Sequence, residues 1–165
     1  MTIKDNIIHI FTDGACSHNP GKGGAAAILK YKEHSKVVLA YLPLTTNNQM
    51  ELIATIIALK ALKKSSTINI YTDSIYVKKG ITEWIQLWKA NGWRSSNKKL
   101  VKNVKLWQIL LELANMHTIN WHWVKGHAGH KENEEADQLA KSAIAEAAPL
   151  AKEFLFLSEE LGYKP

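Results

Sequence analysis

The sequence predicts one α/β domain, a mixed β-sheet covered by helices. Strand-like and helix-like stretches follow one another in the order three strands, helix, strand, helices, strand, helix. Two of the strand-like stretches, Ile10-Phe11-Thr12-Asp13-Gly14 and Ile70-Tyr71-Thr72-Asp73-Ser74, echo each other and close on an aspartate. The 165 residues, 46% hydrophobic and 22% charged, are enough for one properly buried core and have the balance of an ordinary globular chain.

Residues 4–13 read as a strand ending in Thr12-Asp13-Gly14. The glycine-rich stretch 19–24 reads as a loop, followed by strands near 25–32 and 36–42. Thr45-Thr46-Asn47-Asn48 is a cluster of N-cap residues before a helix over roughly 48–63. That helix is apolar on nearly every side, from Met50 through Leu62, and is expected to be largely buried. A β-rich run, Ile68–Thr72, follows, then helical patterns over 75–90 and 102–115, a strand over 118–124, a Gly/His loop and an Ala-rich helix over 131–148. The expected domain spans 1–148. The tail 149–165, with Phe154-Leu155-Phe156-Leu157, is expected to pack on that domain or extend from it.

No apolar run approaches the ~20 residues of a membrane-spanning helix. No signal peptide is visible, and the single cysteine, Cys16, cannot form an internal disulfide. These features lead to the expectation of a cytoplasmic protein without a membrane partner. One cysteine also excludes a cysteine-based structural zinc site.

The formal net charge is +6, and it is unevenly placed. Residues 78–105 hold eight basic residues and one acid, Glu83, so the segment carries +7 and the rest of the chain −1. A lysine-rich stretch by itself reads as a solvated face. Trp84, Trp88 and Trp93 lie among these cations, and aromatic planes beside positive charge suit a sugar–phosphate backbone. Trp84 and Trp88, four apart on a helix, also read as core residues.

Four carboxylates invite attention, and each has an ordinary reading. Asp13 precedes glycine, as turn residues do. Asp73 stands between strand and helix, where an N-cap is expected. Glu51 follows Asn48 at a capping-box spacing. Asp137 lies in an acidic run, yet helical periodicity sets it beside the apolar stripe of Ala136, Ala140 and Ala143, while Glu135 points away. Together they mean more. If the two echoing strands are parallel neighbours, both aspartates project at the carboxyl edge of the sheet, where open α/β sheets place their sites. Four converging carboxylates repel one another without a cation, and hard oxygen ligands suit Mg²⁺. Two such ions can activate a water, hold a phosphate and stabilise a leaving oxygen.

The motifs Thr12-Asp13-Gly14-Ala15-Cys16, Asn19-Pro20-Gly21, Thr45-Thr46-Asn47-Asn48-Gln49-Met50-Glu51-Leu52, Thr72-Asp73-Ser74 and Trp123-Val124-Lys125-Gly126-His127-Ala128-Gly129-His130, followed by Glu132-Asn133-Glu134 and Asp137, resemble those of the type 1 ribonuclease H family, in its bacterial form with a basic protrusion. They run from about residue 9 to 141. The resemblance implies a mixed five-stranded sheet with helices on both faces. It implies a monomeric endoribonuclease that hydrolyses the RNA strand of RNA–DNA hybrids by a two-metal-ion mechanism, leaving 5′-phosphate and 3′-hydroxyl ends. Asp13, Glu51, Asp73 and Asp137 resemble the metal-binding carboxylates, for two Mg²⁺ ions with Mn²⁺ as a substitute. His127 matches a loop histidine of proton transfer or product release. Cys16, Asn19, Asn47 and Asn48 correspond to the reader of RNA 2′-hydroxyls, the groups that distinguish RNA from DNA. Thr46 and Asn103 correspond to a DNA-phosphate pocket. Trp84, Trp88, Lys89, Trp93, Arg94, Lys98 and Lys99 correspond to the protrusion that grips the DNA strand.

Ile75 and Leu44 depart from the family pattern, standing where glutamine and arginine are expected, and the protrusion's Lys89-Ala90-Asn91 is less basic than the family's. Three rival readings remain. A non-catalytic hybrid-binding module would keep the basic segment and use the acids as caps. An aspartyl-phosphate phosphatase needs a second aspartate two residues from Asp13, where the chain has Phe11 and Ala15. A DNA-cutting transposase shares the metal logic and gives no reason for the asparagine-rich reader.

Overall fold

The computed structural model describes residues 6–126 and 130–146. His127, the boundary at 148 and the tail 149–165 lie outside the described residues. Five strands, β1 (Ile7–Cys16), β2 (Gly21–Tyr31), β3 (His34–Thr45), β4 (Thr67–Thr72) and β5 (Thr118–Trp123), form one sheet in the order β3-β2-β1-β4-β5. The hairpin-connected strands β1, β2 and β3 pair antiparallel; β1–β4 and β4–β5 pair parallel. The mixed sheet read from the sequence is therefore present, in one domain.

Helices cover both faces. Alternation along β2 sends Ala25, Ala27 and Leu29 into the core shared with α1 (Asn47–Lys60). Gly24 faces the other way, so close to α5 (Lys131–Ala145) that a Cβ there would stand 2.1 Å from the Ala140 carbonyl oxygen. With both faces packed, every residue of β2 from Gly23 to Leu29 is buried. The run of glycines that reads as a loop is thus partly strand: β2 begins at Gly21, and the small residues allow close packing there.

Every residue of α1 from Met50 to Leu59 is buried, as its apolar circumference predicts. α4 (Val104–Ala114) packs beside it through Leu106, Trp107 and Leu110. The helix expected over 75–90 is interrupted: α2 (Ile75–Lys79) and α3 (Ile85–Ala90) are joined by a π-helical turn, Gly80–Trp84. No helix among the described residues is long and apolar enough to cross a membrane.

Candidate active site

The two echoing strands pair in the register their sequences suggest. Ile10 stands opposite Ile70 and Phe11 opposite Tyr71, the last parallel pair. Asp13 and Asp73 each lie two residues beyond it, at the carboxyl edge. Their ordinary readings do not hold. β1 continues past Asp13, which pairs with Ala26 in β2, so Asp13 is not a turn residue. Ser74, rather than Asp73, caps α2, its side chain accepting from the Val77 N–H at 3.1 Å.

Glu51 is not part of a capping box either. Thr46 caps α1 by accepting from the Gln49 N–H, while Glu51 Oε1 accepts from the backbone N–H of Gly14 at 2.7 Å. This approach of β1 to α1 requires glycine, because a Cβ at position 14 would lie 2.5–2.6 Å from the Met50 and Glu51 backbone. Glycine next to Asp13 thus brings the Glu51 carboxylate to the strand end.

Oxygen atoms of Asp13, Glu51 and Asp73 lie within 4.8 Å of one another. Asp13 is 6% and Glu51 8% exposed. Burial, followed by the neighbouring Asp73 and Asp137, pushes the Asp13 carboxyl up to about 7, although a hydrogen bond with Glu51 draws it down. Burial and the negative charge of Asp13 and Asp73 hold Glu51 well above the usual carboxylate range, against the opposing Gly14 N–H. Glu51 Oε2 is buried without a hydrogen-bond partner. A buried, unpartnered carboxylate oxygen within reach of two further carboxylates is a donor set that fits a hard divalent cation.

Asp137 arrives from α5. Ala136, Ala140 and Ala143 are buried on that helix, Glu135 is exposed, and Asp137 is half-buried between them, as helical periodicity predicts. It shares one open cleft with Asp13, Glu51 and Asp73. Its Oδ2 meets Lys141 Nζ at 3.0 Å. Lys141 was not singled out in the sequence, although its spacing of four from Asp137 on one helix is a readable signal. Gly126 closes on the site from the loop after β5, where a Cβ would stand 3.1 Å from Asp73 Oδ2.

Cys16, Asn47 and Asn48 line the same cleft as the acids. Asn19, exposed on the β1–β2 connection, accepts from the Asn47 N–H at 3.2 Å and joins the two asparagine motifs. Thr46 lies one residue before this group. Asn103 has a structural duty: its Oδ1 accepts from Gln49 Nε2 at 3.1 Å, and its Nδ2 donates to the Tyr76 hydroxyl at 3.2 Å. The same hydroxyl accepts from the buried Trp107 Nε1 at 2.9 Å. This string ties the start of α1 to α2 and α4. Sequence reasoning missed Tyr76 as its hub, since nothing local marks a tyrosine that serves two distant donors.

No residue of the basic segment lines the cleft of the acids. Lys89, Arg94, Lys98 and Lys99 are exposed; Trp84, Trp88 and Trp93 are half-buried. Trp88 has ring neighbours at 5.7 Å (Trp84), 6.3 Å (Trp93) and 5.4 Å (Trp107). The tryptophans therefore anchor the segment to the core with one side and leave the other open. Leu44 and Ile75, the two departures, are 63% and 55% exposed.

Residues 5–145 match the family model described as RNase H. The ribonuclease H of Bradyrhizobium sp. (strain ORS 278) is 58% identical over 141 residues, covering 86% of this chain and 92% of that one. That of Bartonella quintana (strain Toulouse) is 51% identical over 146 residues, covering 88% and 94%. Among solved structures, LC9-RNase H1, a type 1 RNase H with the type 2 active-site motif, superposes with a TM-score of 0.79 at 28% identity, over 99% of this chain and 84% of that chain.

Proposed function

The chain belongs to the RNase H family, and on that premise we propose that it hydrolyses the RNA strand of RNA–DNA hybrids by a two-metal-ion mechanism, leaving 5′-phosphate and 3′-hydroxyl ends. One observation carries the reading. Three carboxylates from β1, α1 and the end of β4 converge within 4.8 Å in a cleft that Cys16, Asn47 and Asn48 also line.

Asp13, Glu51, Asp73 and Asp137 would hold two Mg²⁺ ions, with Mn²⁺ as a substitute. Bound there, such ions supply Lewis-acid stabilisation of the phosphate and activation of the attacking water. The chain's own groups do the rest. Asp13 and Asp73 stand on a rigid sheet edge, which fixes their separation. The Gly14 N–H orients Glu51. Cys16, Asn19, Asn47 and Asn48 present sulfur and amide groups to the minor groove, where a 2′-hydroxyl both donates and accepts. Thr46 and Asn103 stand at the DNA-phosphate position, and the basic segment with Trp84, Trp88 and Trp93 holds the DNA strand. His127 is assigned proton transfer or product release. We further assign a monomer acting in the cytoplasm.

A strand-labelled panel tests this reading: RNA–DNA hybrid, RNA–RNA, DNA–DNA and single strands, each with Mg²⁺ and with EDTA. Cutting of the RNA strand of the hybrid, in Mg²⁺ alone, is expected. Cleavage of the DNA strand, or cleavage that survives EDTA, overturns it. Hybrid binding without cutting favours the non-catalytic module.

A further inference from the structure

The cleft that gathers Asp13, Glu51, Asp73 and Asp137 is lined by Lys141, while Lys125 and His130 line a smaller adjoining pocket with Asp73 and Asp137. Lys141 stands one helical turn beyond Asp137 on α5, with its Nζ 3.0 Å from Asp137 Oδ2. An i,i+4 acid–lysine pair on a helix is usually a solvated surface contact of little consequence. This one differs in position. The Asp137 side chain is only 23% exposed, and Lys141 reaches towards the carboxylates from its more open place.

We propose that Lys141 is the built-in counter-cation of the carboxylate cluster, holding Asp137 when no divalent ion does and competing with that ion for it. The inference rests on the metal-binding reading of the cluster and adds a residue that sets its affinity. The physical reason is direct. An ammonium 3.0 Å from Oδ2 of Asp137 already shares that carboxylate's negative charge, so a metal ion ligated there gains less from it while the lysine stays in place. Its charge also repels an approaching divalent ion over a few ångströms. Lys141 is therefore a positioning residue. It lowers the repulsion within the metal-free cluster and weakens metal binding before substrate arrives.

Isothermal titration of the substrate-free protein with Mg²⁺, and separately with Mn²⁺, tests this at low ionic strength on the parent, Lys141→Met, Lys141→Arg and Asp13→Asn. Lys141→Met should bind Mg²⁺ roughly three- to tenfold more tightly, the scale expected for removing one unit charge beside a divalent ion in a hydrated cleft. Lys141→Arg, which keeps the charge, should stay within about twofold of the parent. The Tm of Lys141→Met should fall in EDTA and recover more in Mg²⁺ than the parent's does, with an unchanged circular dichroism spectrum in Mg²⁺. An unchanged Mg²⁺ affinity in Lys141→Met makes the pair an ordinary surface contact and overturns the proposal. A weaker affinity also overturns it, since the lysine would then preorganise Asp137 for the metal. Asp13→Asn separates the two layers of argument. If it binds Mg²⁺ as the parent does, or if the parent binds none, the metal reading of the cluster fails and the role of Lys141 falls with it.

Discussion

Gly14 and Glu51, 37 positions apart, are joined by a hydrogen bond of 2.7 Å from the backbone N–H of one to Oε1 of the other. The second carboxylate oxygen, Oε2, is buried and has no partner. Half of this side chain is thus fixed by the fold and half is left for a ligand.

Glu51→Gln should separate those halves. The amide oxygen can still accept from Gly14, and no charge remains to be buried. Cleavage should fall by two orders of magnitude or more, about 3 kcal/mol of transition-state stabilisation. In EDTA at pH 8 the variant should be more stable than the parent, because it has no carboxylate to ionise in a buried, negatively charged place. A cleavage assay and thermal unfolding in EDTA measure the two effects, and a variant less stable than its parent in EDTA would contradict the burial cost assigned to Glu51.

The pH dependence follows from Asp13, whose carboxyl titrates near 7 in the fold against 3.8 for the ordinary group. The folded state therefore binds more protons than the unfolded state between these values. The contribution of this group to metal-free stability is fully present below about pH 4, declines as pH rises towards 7, and is flat above that. Glu51 moves in the same direction. In EDTA, Tm should fall from pH 5 to pH 7.5. Asp13→Asn should flatten that slope and nearly abolish cutting while hybrid binding survives. With saturating Mg²⁺ the decline should shrink, and cleavage should rise with pH through this range as protons cease to compete with the metal. A slope in EDTA that Asp13→Asn leaves unaltered would remove Asp13 as its source.

Tyr76→Phe keeps the ring and deletes the acceptor shared by Trp107 Nε1 and Asn103 Nδ2. Trp107 is fully buried, so its N–H loses a partner that water cannot readily replace. The expected cost is about 1–3 kcal/mol, read by urea denaturation. A loss of a few tenths would show that the string of side chains from Gln49 to Trp107 is not under strain when cut.

Replacing Lys89, Arg94, Lys98 and Lys99 by alanine should weaken hybrid binding and flatten its salt slope by up to roughly four units. At saturating hybrid, kcat should change little, since these side chains do not line the cleft of the carboxylates. Trp88 is a poor probe of strand contact, because its ring packs against Trp107 and truncation would disturb the core as well. If the quadruple variant binds like its parent at every salt concentration, the segment is a solvated face.

What could be read beforehand was whatever local pattern encodes. The echo of Ile10–Asp13 in Ile70–Asp73 announced two neighbouring strand ends, and the all-round apolarity of α1 announced a buried helix, although Glu51 on it read as a cap. Other features depend on tertiary contact. Glycines at 21, 23 and 24 signal a turn and a tightly packed strand equally well; only the arrival of α5 at Gly24 decides between them. The π-helical turn at Gly80–Trp84 leaves no periodic mark in so short a stretch. Gln49 and Tyr76 acquire their meaning from partners on other helices.

The pairing of β1 with β4 has a further consequence for how this chain tolerates change. Side chains alternate faces along a strand, so inserting or deleting one residue within either partner, between the last paired position and the acid, would turn one aspartate to the opposite side of the sheet. Composition, hydrophobicity and even the aspartate itself would all survive such an edit. The two carboxylates would nevertheless be separated by the thickness of a backbone. A loop away from the site tolerates added length at a small entropic cost; here the integer number of residues is itself a functional quantity.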